Sequence, residues 1–222
     1  MREEVSVRLE LGASTVPAGK IVIEAEGVNH RWGGEGETRS DAWLWPEPGL
    51  DLRLVGPGRL ALEGPSGCGK STLARLLIGE LEPERGHIRR ADLPIAWLDQ
   101  RCRLLDDGVP LLESLRRGDP TIEAREVYWS LDRFGLGRRA ATRTPETLSG
   151  GERMRAALAS LFGVGRPPRL LVLDEPTNNL DIETVELLEE ALAAYRGALI
   201  LISHDPDFVE AVGVDRTMLV ER

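Results

Sequence analysis

The string Gly64-Pro65-Ser66-Gly67-Cys68-Gly69-Lys70-Ser71-Thr72 constrains this chain more than any other feature. It meets every fixed position of the pattern G-x-x-x-x-G-K-[ST], in which glycines let successive backbone N–H groups turn into one concavity. Its flanks agree. Leu60 to Leu62 is a short apolar run suited to a buried strand entering the loop. Leu73-Ala74-Arg75-Leu76-Leu77-Ile78 has helical character, with Gly79 and Pro83 as stops. A strand–loop–helix unit of this kind aims the positive end of a helix at the loop and makes an anion site. Lys70 then reaches terminal phosphates as a point charge, and the Ser71 hydroxyl holds the magnesium that accompanies them. Of 28 basic residues, only Lys20 and Lys70 are lysine. A chain that otherwise uses arginine keeps lysine where a compact ammonium suits the geometry and a planar fork does not.

With 222 residues, 41% of them hydrophobic, the chain can form one large domain or a core with one inserted subdomain. A net charge of -9 argues against a nucleic-acid glove covering the whole surface. No apolar run approaches the roughly 20 residues of a bilayer-crossing helix. Met1-Arg2-Glu3-Glu4 lacks the apolar core of a signal peptide. Cys68 sits inside the phosphate loop, where a disulfide would obstruct a ligand, so reduced thiols are expected. These features together predict a soluble, cytoplasmic protein with no direct membrane insertion.

Residues 1–19 read as a leader in which Val5, Val7, Leu9 and Leu11 alternate and permit one strand. From Lys20 the pattern Ile21-Val22-Ile23 begins a strand that ends near Asn29. Trp32 opens the stretch Trp32-Gly33-Gly34-Glu35-Gly36, and its ring can offer its face to a purine base. A half-buried surface tryptophan is the alternative, and Trp43 and Trp45 compete for the stacking role. Ile95-Ala96-Trp97-Leu98 reads as a short strand leading into Asp99-Gln100. A glutamine at a strand end can reach a metal or an attacking water, or it can be an ordinary surface residue. Residues 101–147 contain nine arginines and show helical periodicity at Leu111, Leu112 and Leu115, then at Val127, Leu131 and Phe134. Gly135 and Gly137 act as stops. The segment reads as a mostly helical insertion whose arginines form either a solvated face or a docking surface for a partner.

Leu148-Ser149-Gly150-Gly151-Glu152 contains a capping box, S-x-x-E, opening a helix with Met154, Ala157, Leu158 and Leu161 on its apolar side. The cap accounts for serine and glutamate, whereas two glycines in a first turn are costly unless something approaches the backbone closely. A second phosphate site fits that requirement. Leu170-Leu171-Val172-Leu173 reads as a buried parallel strand running straight into Asp174-Glu175. Open α/β sheets hold their ligands at that end. Adjacent strand residues face opposite ways, so one acid is expected to meet magnesium and the other to orient or deprotonate a water. Pro176 to Asp181 makes a turn before a helix with Val185, Leu188 and Leu192 inward. Ala198 to Ile202 is another buried strand, ending in Ser203-His204-Asp205 beside the phosphate site.

In this order the motifs resemble the nucleotide-binding domain of ATP-binding cassette (ABC) proteins, over roughly residues 20–220. The resemblance implies an α/β fold: a P-loop NTPase core with a mainly parallel sheet, an N-terminal antiparallel β subdomain and a helical subdomain at about 101–160, within a domain spanning 20–222. Gly64 to Thr72 is similar to the Walker A loop, Gln100 to the Q-loop glutamine and Leu148 to Glu152 to the signature motif. Leu170 to Glu175 is similar to the Walker B strand with its catalytic glutamate, Asn179-Leu180-Asp181 falls in the D-loop, and His204 matches the switch histidine. The implied ligands are ATP and Mg2+. ATP would lie on the loop at 64–72 with its base on Trp32, and Mg2+ would be shared by Ser71, Gln100 and Asp174. Glu175 would activate water, while His204 and Lys70 counter charge on the γ-phosphate. Ser149, Gly150 and Gly151 would close over nucleotide on a second cassette, so hydrolysis would need a pair.

Asp174-Glu175-Pro176-Thr177-Asn178-Asn179-Leu180-Asp181 and Leu148-Ser149-Gly150-Gly151-Glu152-Arg153-Met154-Arg155 are similar to the corresponding strings of the ABC-F group. ABC-F proteins carry two cassettes in one chain and no membrane domain, and they typically act on the ribosome; some protect against antibiotics. This chain has one cassette and lacks the long charged linker, Ser66 stands where that group often carries asparagine, and residues 1–19 are similar to the tail of that linker. The resemblance therefore implies a C-terminal half, expressed as a fragment or encoded alone. Its partner would be a second cassette, from the missing half or a second copy, with the ribosome as target. Two rival readings remain: the ATPase subunit of a membrane transporter, with residues 101–147 docking a permease, and a nucleotide-gated interaction module with little turnover.

Overall fold

The computed structural model describes residues 15–32 and 42–222. The expected leader strand at Val5 to Leu11 and the glycines 33, 34 and 36 lie outside those residues. Two sheets organise the described residues. In the smaller, β1 (Ile21–Asn29) lies between β2 (Leu50–Val55) and β4 (Arg85–Arg90) and is antiparallel to both. In the larger, β3 (Arg59–Glu63), β5 (Ile95–Asp99), β6 (Leu170–Asp174), β7 (Ala198–Ile202) and β8 (Arg216–Leu219) run parallel in the order β5-β6-β7-β3-β8. The expected antiparallel subdomain is present, built on the N-terminal β1 and β2, and it also takes in a later strand. Its β4 follows the phosphate loop, because helix α1 (Lys70–Ile78) stops at left-handed Gly79 and the chain turns back to pair Arg90 with Ile23.

Strand periodicity divides the interior in two. Leu171, Leu173, Leu199 and Leu201 face one core with Leu131, Phe134, Leu158 and Phe208. Leu170, Val172, Ala198, Ile200 and Ile202 face the other, with Leu62, Leu73 and Leu77. Covered on both faces, β6 and β7 need apolar residues at consecutive positions, which is why they read as unbroken runs.

The segment between β5 and β6 holds α2 (Leu111–Arg116), α3 (Ala124–Arg133), short 3-10 turns at Arg138–Thr142 and Pro145–Thr147, and α4 (Gly150–Leu158). The end of α4 widens into a π turn, Ala159–Gly163, where the Ser130 hydroxyl of α3 donates to the Ala159 carbonyl at 2.9 Å. Helices α5 (Ile182–Ala194) and α6 (Pro206–Val212) complete the cover. Among the described residues, no helix is long and apolar enough to cross a membrane.

Candidate functional site: a phosphate cavity at the strand ends

The C-terminal ends of β3, β6 and β7 open into a cavity of about 400 Å³ bounded by Ser66, Gly67, Gly69, Lys70, Ser71, Thr72, Asp174, Glu175, Ile202 and His204, with Trp32, Leu44 and Arg222. The loop leaves β3 at Gly64, whose φ of 142 and position against the chain both exclude a side chain: a Cβ there would lie 2.2 Å from the Val220 carbonyl oxygen. Pro65 is exposed beside it, and the Cys68 thiol is buried and free. At the far end, α1 starts from Gly69 with no side-chain cap and no acid in its first turn. Helices α4, α5 and α6 instead take caps from Ser149, Asp181 and Asp205. The first N–H groups of α1 are thus left for an anion in the cavity.

Lys70 is 7% exposed, and its ammonium donates to the carbonyls of Gly64 (2.7 Å) and Pro65 (3.1 Å). The cation is therefore stored on the loop itself. Burial pushes the Asp174 carboxyl up, a hydrogen bond from the Ser71 hydroxyl opposes that, nearby Asp99 pushes it further up, and Arg75 and Lys70 pull it down. A desolvated carboxylate beside a hydroxyl is a pair of hard oxygen donors suited to a divalent cation, so the residues fit magnesium.

Glu175 is not a strand residue. Its φ is 50, and its N–H donates to the Ile202 carbonyl of β7 at 2.8 Å. Strand alternation therefore does not separate the two acids as the sequence reading supposed; a left-handed residue hooked to the next strand does. That turn brings the Glu175 carboxylate to 3.1 Å from His204 Nε2.

The competing tryptophans receive different places. The Trp43 ring meets two guanidinium groups, that of Arg31 at 4.2 Å from its centroid and that of Arg85 at 5.3 Å. Trp45 is buried under the loop. Trp32 lies on the cavity wall, 48% exposed, and meets the His30 ring edge-on at 5.5 Å. Gln100 is exposed in the turn after β5 and does not line the cavity. Its neighbour Asp99, buried and paired with Arg103, lies in register beside Asp174. No local pattern marks Asp99, because its place beside Asp174 is set by the pairing of β5 with β6. Leu44 and Arg222 carried no signal, since no local pattern marks a wall supplied from distant segments.

Ser149, Gly150 and Gly151 also lie outside this cavity. Ser149 and Glu152 cap one another, with Ser149 Oγ 3.2 Å from the Glu152 nitrogen and Glu152 Oε2 2.8 Å from the Ser149 nitrogen. Gly151 has a reason within the chain as well: a Cβ there would lie 3.1 Å from Asp181 Oδ2 and 3.3 Å from Thr184 Oγ1, whereas one on Gly150 would meet only the Asn179 oxygen at an ordinary 3.9 Å. The close approach inferred from their cost is in part that of the start of α5.

Comparison with known proteins places these observations among relatives. The family model described as ABC transporter matches residues 49–178. The chain is 38% identical over 216 residues to the ATP-binding protein Uup-like of Haemophilus influenzae, covering 94% of this chain and 44% of that protein. It is 37% identical over 198 residues to the ATP-binding protein Uup of Escherichia coli, covering 87% and 29% respectively. With the ATP-binding cassette sub-family F member 3 of Homo sapiens it shares 41% over 158 residues, 69% of this chain and 22% of that protein. The chain thus spans less than half the length of each of these curated relatives. A dimeric ATP-binding cassette in a post-hydrolysis state, bound to ADP and Pi, superposes with a TM-score of 0.70 at 20% identity, covering 90% of this chain and 94% of that one. A bacterial Atm1-family ABC exporter with ATP bound gives 0.73 at 20% identity, covering 93% and 38%. At such identities the two solved structures speak for the fold.

Proposed function

The chain belongs to the ABC transporter family, and from that premise we propose that it binds and hydrolyses ATP as one cassette of a pair. The observation that carries this reading is convergence: an uncapped helix start, the Lys70 ammonium, the Ser71–Asp174 pair and the Glu175–His204 pair meet at one cavity. Trp32 offers its face to the base, and the loop from Gly64 to Thr72 takes the phosphates through its N–H groups. Lys70 exchanges the Gly64 and Pro65 carbonyls for phosphate oxygens. Ser71 and Asp174 would hold a magnesium ion, with Gln100 as the further ligand that the family resemblance implies; such an ion would supply positive charge to the phosphate oxygens. Glu175 accepts the proton of the attacking water, and His204 orients that carboxylate and offers a donor to the transferred phosphoryl group. Ser149, Gly150 and Gly151, lying away from this cavity, serve the nucleotide of a second cassette, either the other half of a longer protein or a second copy.

The likeness to Uup and to sub-family F member 3 favours the ABC-F reading over a transporter subunit. On that reading the chain is one cassette of a two-cassette protein that works in the cytoplasm on the ribosome. Two measurements test the proposal. Phosphate release with magnesium and ATP should fall to background in Glu175→Gln. Co-sedimentation with ribosomes at two salt concentrations should show weak, salt-sensitive binding, since arginine contacts to phosphate release counterions. Binding to a permease without ribosome association would favour the transporter reading.

A further inference from the structure

Trp45 is 1% exposed, and its indole Nε1–H donates to the Cys68 carbonyl of the phosphate loop at 3.0 Å. The tryptophan is itself clamped. Asn29, fully buried at the end of β1, donates from Nδ2 to the Trp45 carbonyl at 2.7 Å and accepts from the Trp45 N–H through Oδ1 at 3.2 Å. The ring lies against the loop where α1 begins: a Cβ on Gly69 would be 3.1 Å from Trp45 Cζ2.

A trans peptide is planar, so the Cys68 carbonyl and the Gly69 N–H point in opposite directions. With the carbonyl drawn to the indole, the Gly69 N–H points away from Trp45, and Gly69 borders the cavity at the uncapped start of α1. Glycine at φ 104 imposes little torsional preference of its own, so a flip of this peptide is cheap unless something holds it. Flipped, it would present a carbonyl oxygen to the phosphates. We propose that Trp45 is a positioning residue that locks the Cys68–Gly69 peptide in its anion-binding orientation, anchored through Asn29 to β1. The proposal rests on the ATP-binding reading above.

The test replaces Trp45 in the full 222-residue chain with 3-benzothienylalanine, which keeps the shape of the ring and has sulfur in place of the N–H. Calorimetry then measures the Kd for magnesium-ADP, which carries the phosphates the loop holds. The unfolding midpoint is measured without nucleotide. The expected result is binding weakened about tenfold, or ~1.4 kcal/mol. The nucleotide-free midpoint should shift by no more than about 4 °C, the effect of one lost hydrogen bond in a chain of this size. Incorporating 5-fluorotryptophan at the same position retains the donor and should restore the affinity; Trp45→Phe should behave like the isostere. Unchanged magnesium-ADP affinity in the isostere overturns the lock. A collapse of the midpoint alongside weaker binding also overturns it, since Trp45 would then serve folding only. Failure of the unsubstituted chain to bind magnesium-ADP removes the ATP reading itself, and the lock with it.

Discussion

Lys70 donates its ammonium to the Gly64 and Pro65 carbonyls at the cavity wall. Lys70→Ala should cost most of the ATP affinity, roughly ten- to a hundredfold for the loss of a charge-assisted bond of about 1.5–3 kcal/mol. Calorimetric titration with magnesium-ATP checks it. Glu175→Gln should keep that affinity while turnover drops by about 10²–10⁴, because the amide accepts no proton. Near-normal phosphate release from that variant would take Glu175 out of the catalytic role. Glu152 makes a different kind of prediction. The Arg143 guanidinium foremost, with the Ser149 N–H, holds its carboxyl at about 2, below the ordinary 4.5. An acid depressed on folding contributes stability that is complete above its unfolded value and is lost as pH falls through its folded one. The unfolding midpoint should therefore decline between pH 4.5 and about 2, and Glu152→Gln should decline less over that window.

At the scale of elements, the contact between α3 and the π turn is close enough to be tested by one methyl group. A Cβ on Gly163 would lie 1.7 Å from Ser130 Oγ and 2.7 Å from Ser130 Cβ. Gly163→Ala should destabilise the chain by about 1–3 kcal/mol through overpacking, measured by denaturant unfolding. Ser130→Ala in the same chain should recover part of the loss, since it removes the nearer of the two atoms. The elements that carry the site were readable because their causes are local. The runs Leu170 to Leu173 and Ala198 to Ile202 announce covered strands, and Ser149 with Glu152 announces the start of α4. The widened end of α4 was not readable, because the hydroxyl that meets it belongs to Ser130, 29 residues away from Ala159.

On the proposed function the whole molecule shares its ATP chemistry between two surfaces, the loop cavity and the start of α4, and Ser149, Gly150 and Gly151 do not line that cavity within one chain. Association should therefore depend on nucleotide: mostly monomer without ATP, and dimer with magnesium-ATP in proportion to protein concentration, since a ligand that binds only the dimer shifts it by mass action. Light scattering reads the mass. Glu175→Gln should accumulate the dimer, and adding Ser149→Arg should prevent it by placing bulk and charge at the closing surface. Specific activity that stays constant over a hundredfold dilution, with no change of mass on adding ATP, would sink the shared-site mechanism.

From the sequence alone followed the phosphate loop, the acids and histidine at strand ends, the capping box and the order in which a cassette presents them. Each is a short string whose chemistry depends on neighbours within a few residues. Only the tertiary structure decided how Trp32, Trp43 and Trp45 are allotted, because Arg31 and Arg85, the Cys68 carbonyl and the cavity wall claim them from separate segments. It also decided that Glu175 leaves the strand in a left-handed turn tied to Ile202, that Gln100 faces solvent while Asp99 lies beside Asp174, and that Gly151 faces the cap of α5. The physical reason is range. Backbone propensity and capping act along the chain, whereas burial and hydrogen-bond partners are assigned by residues that meet only once the sheet has formed.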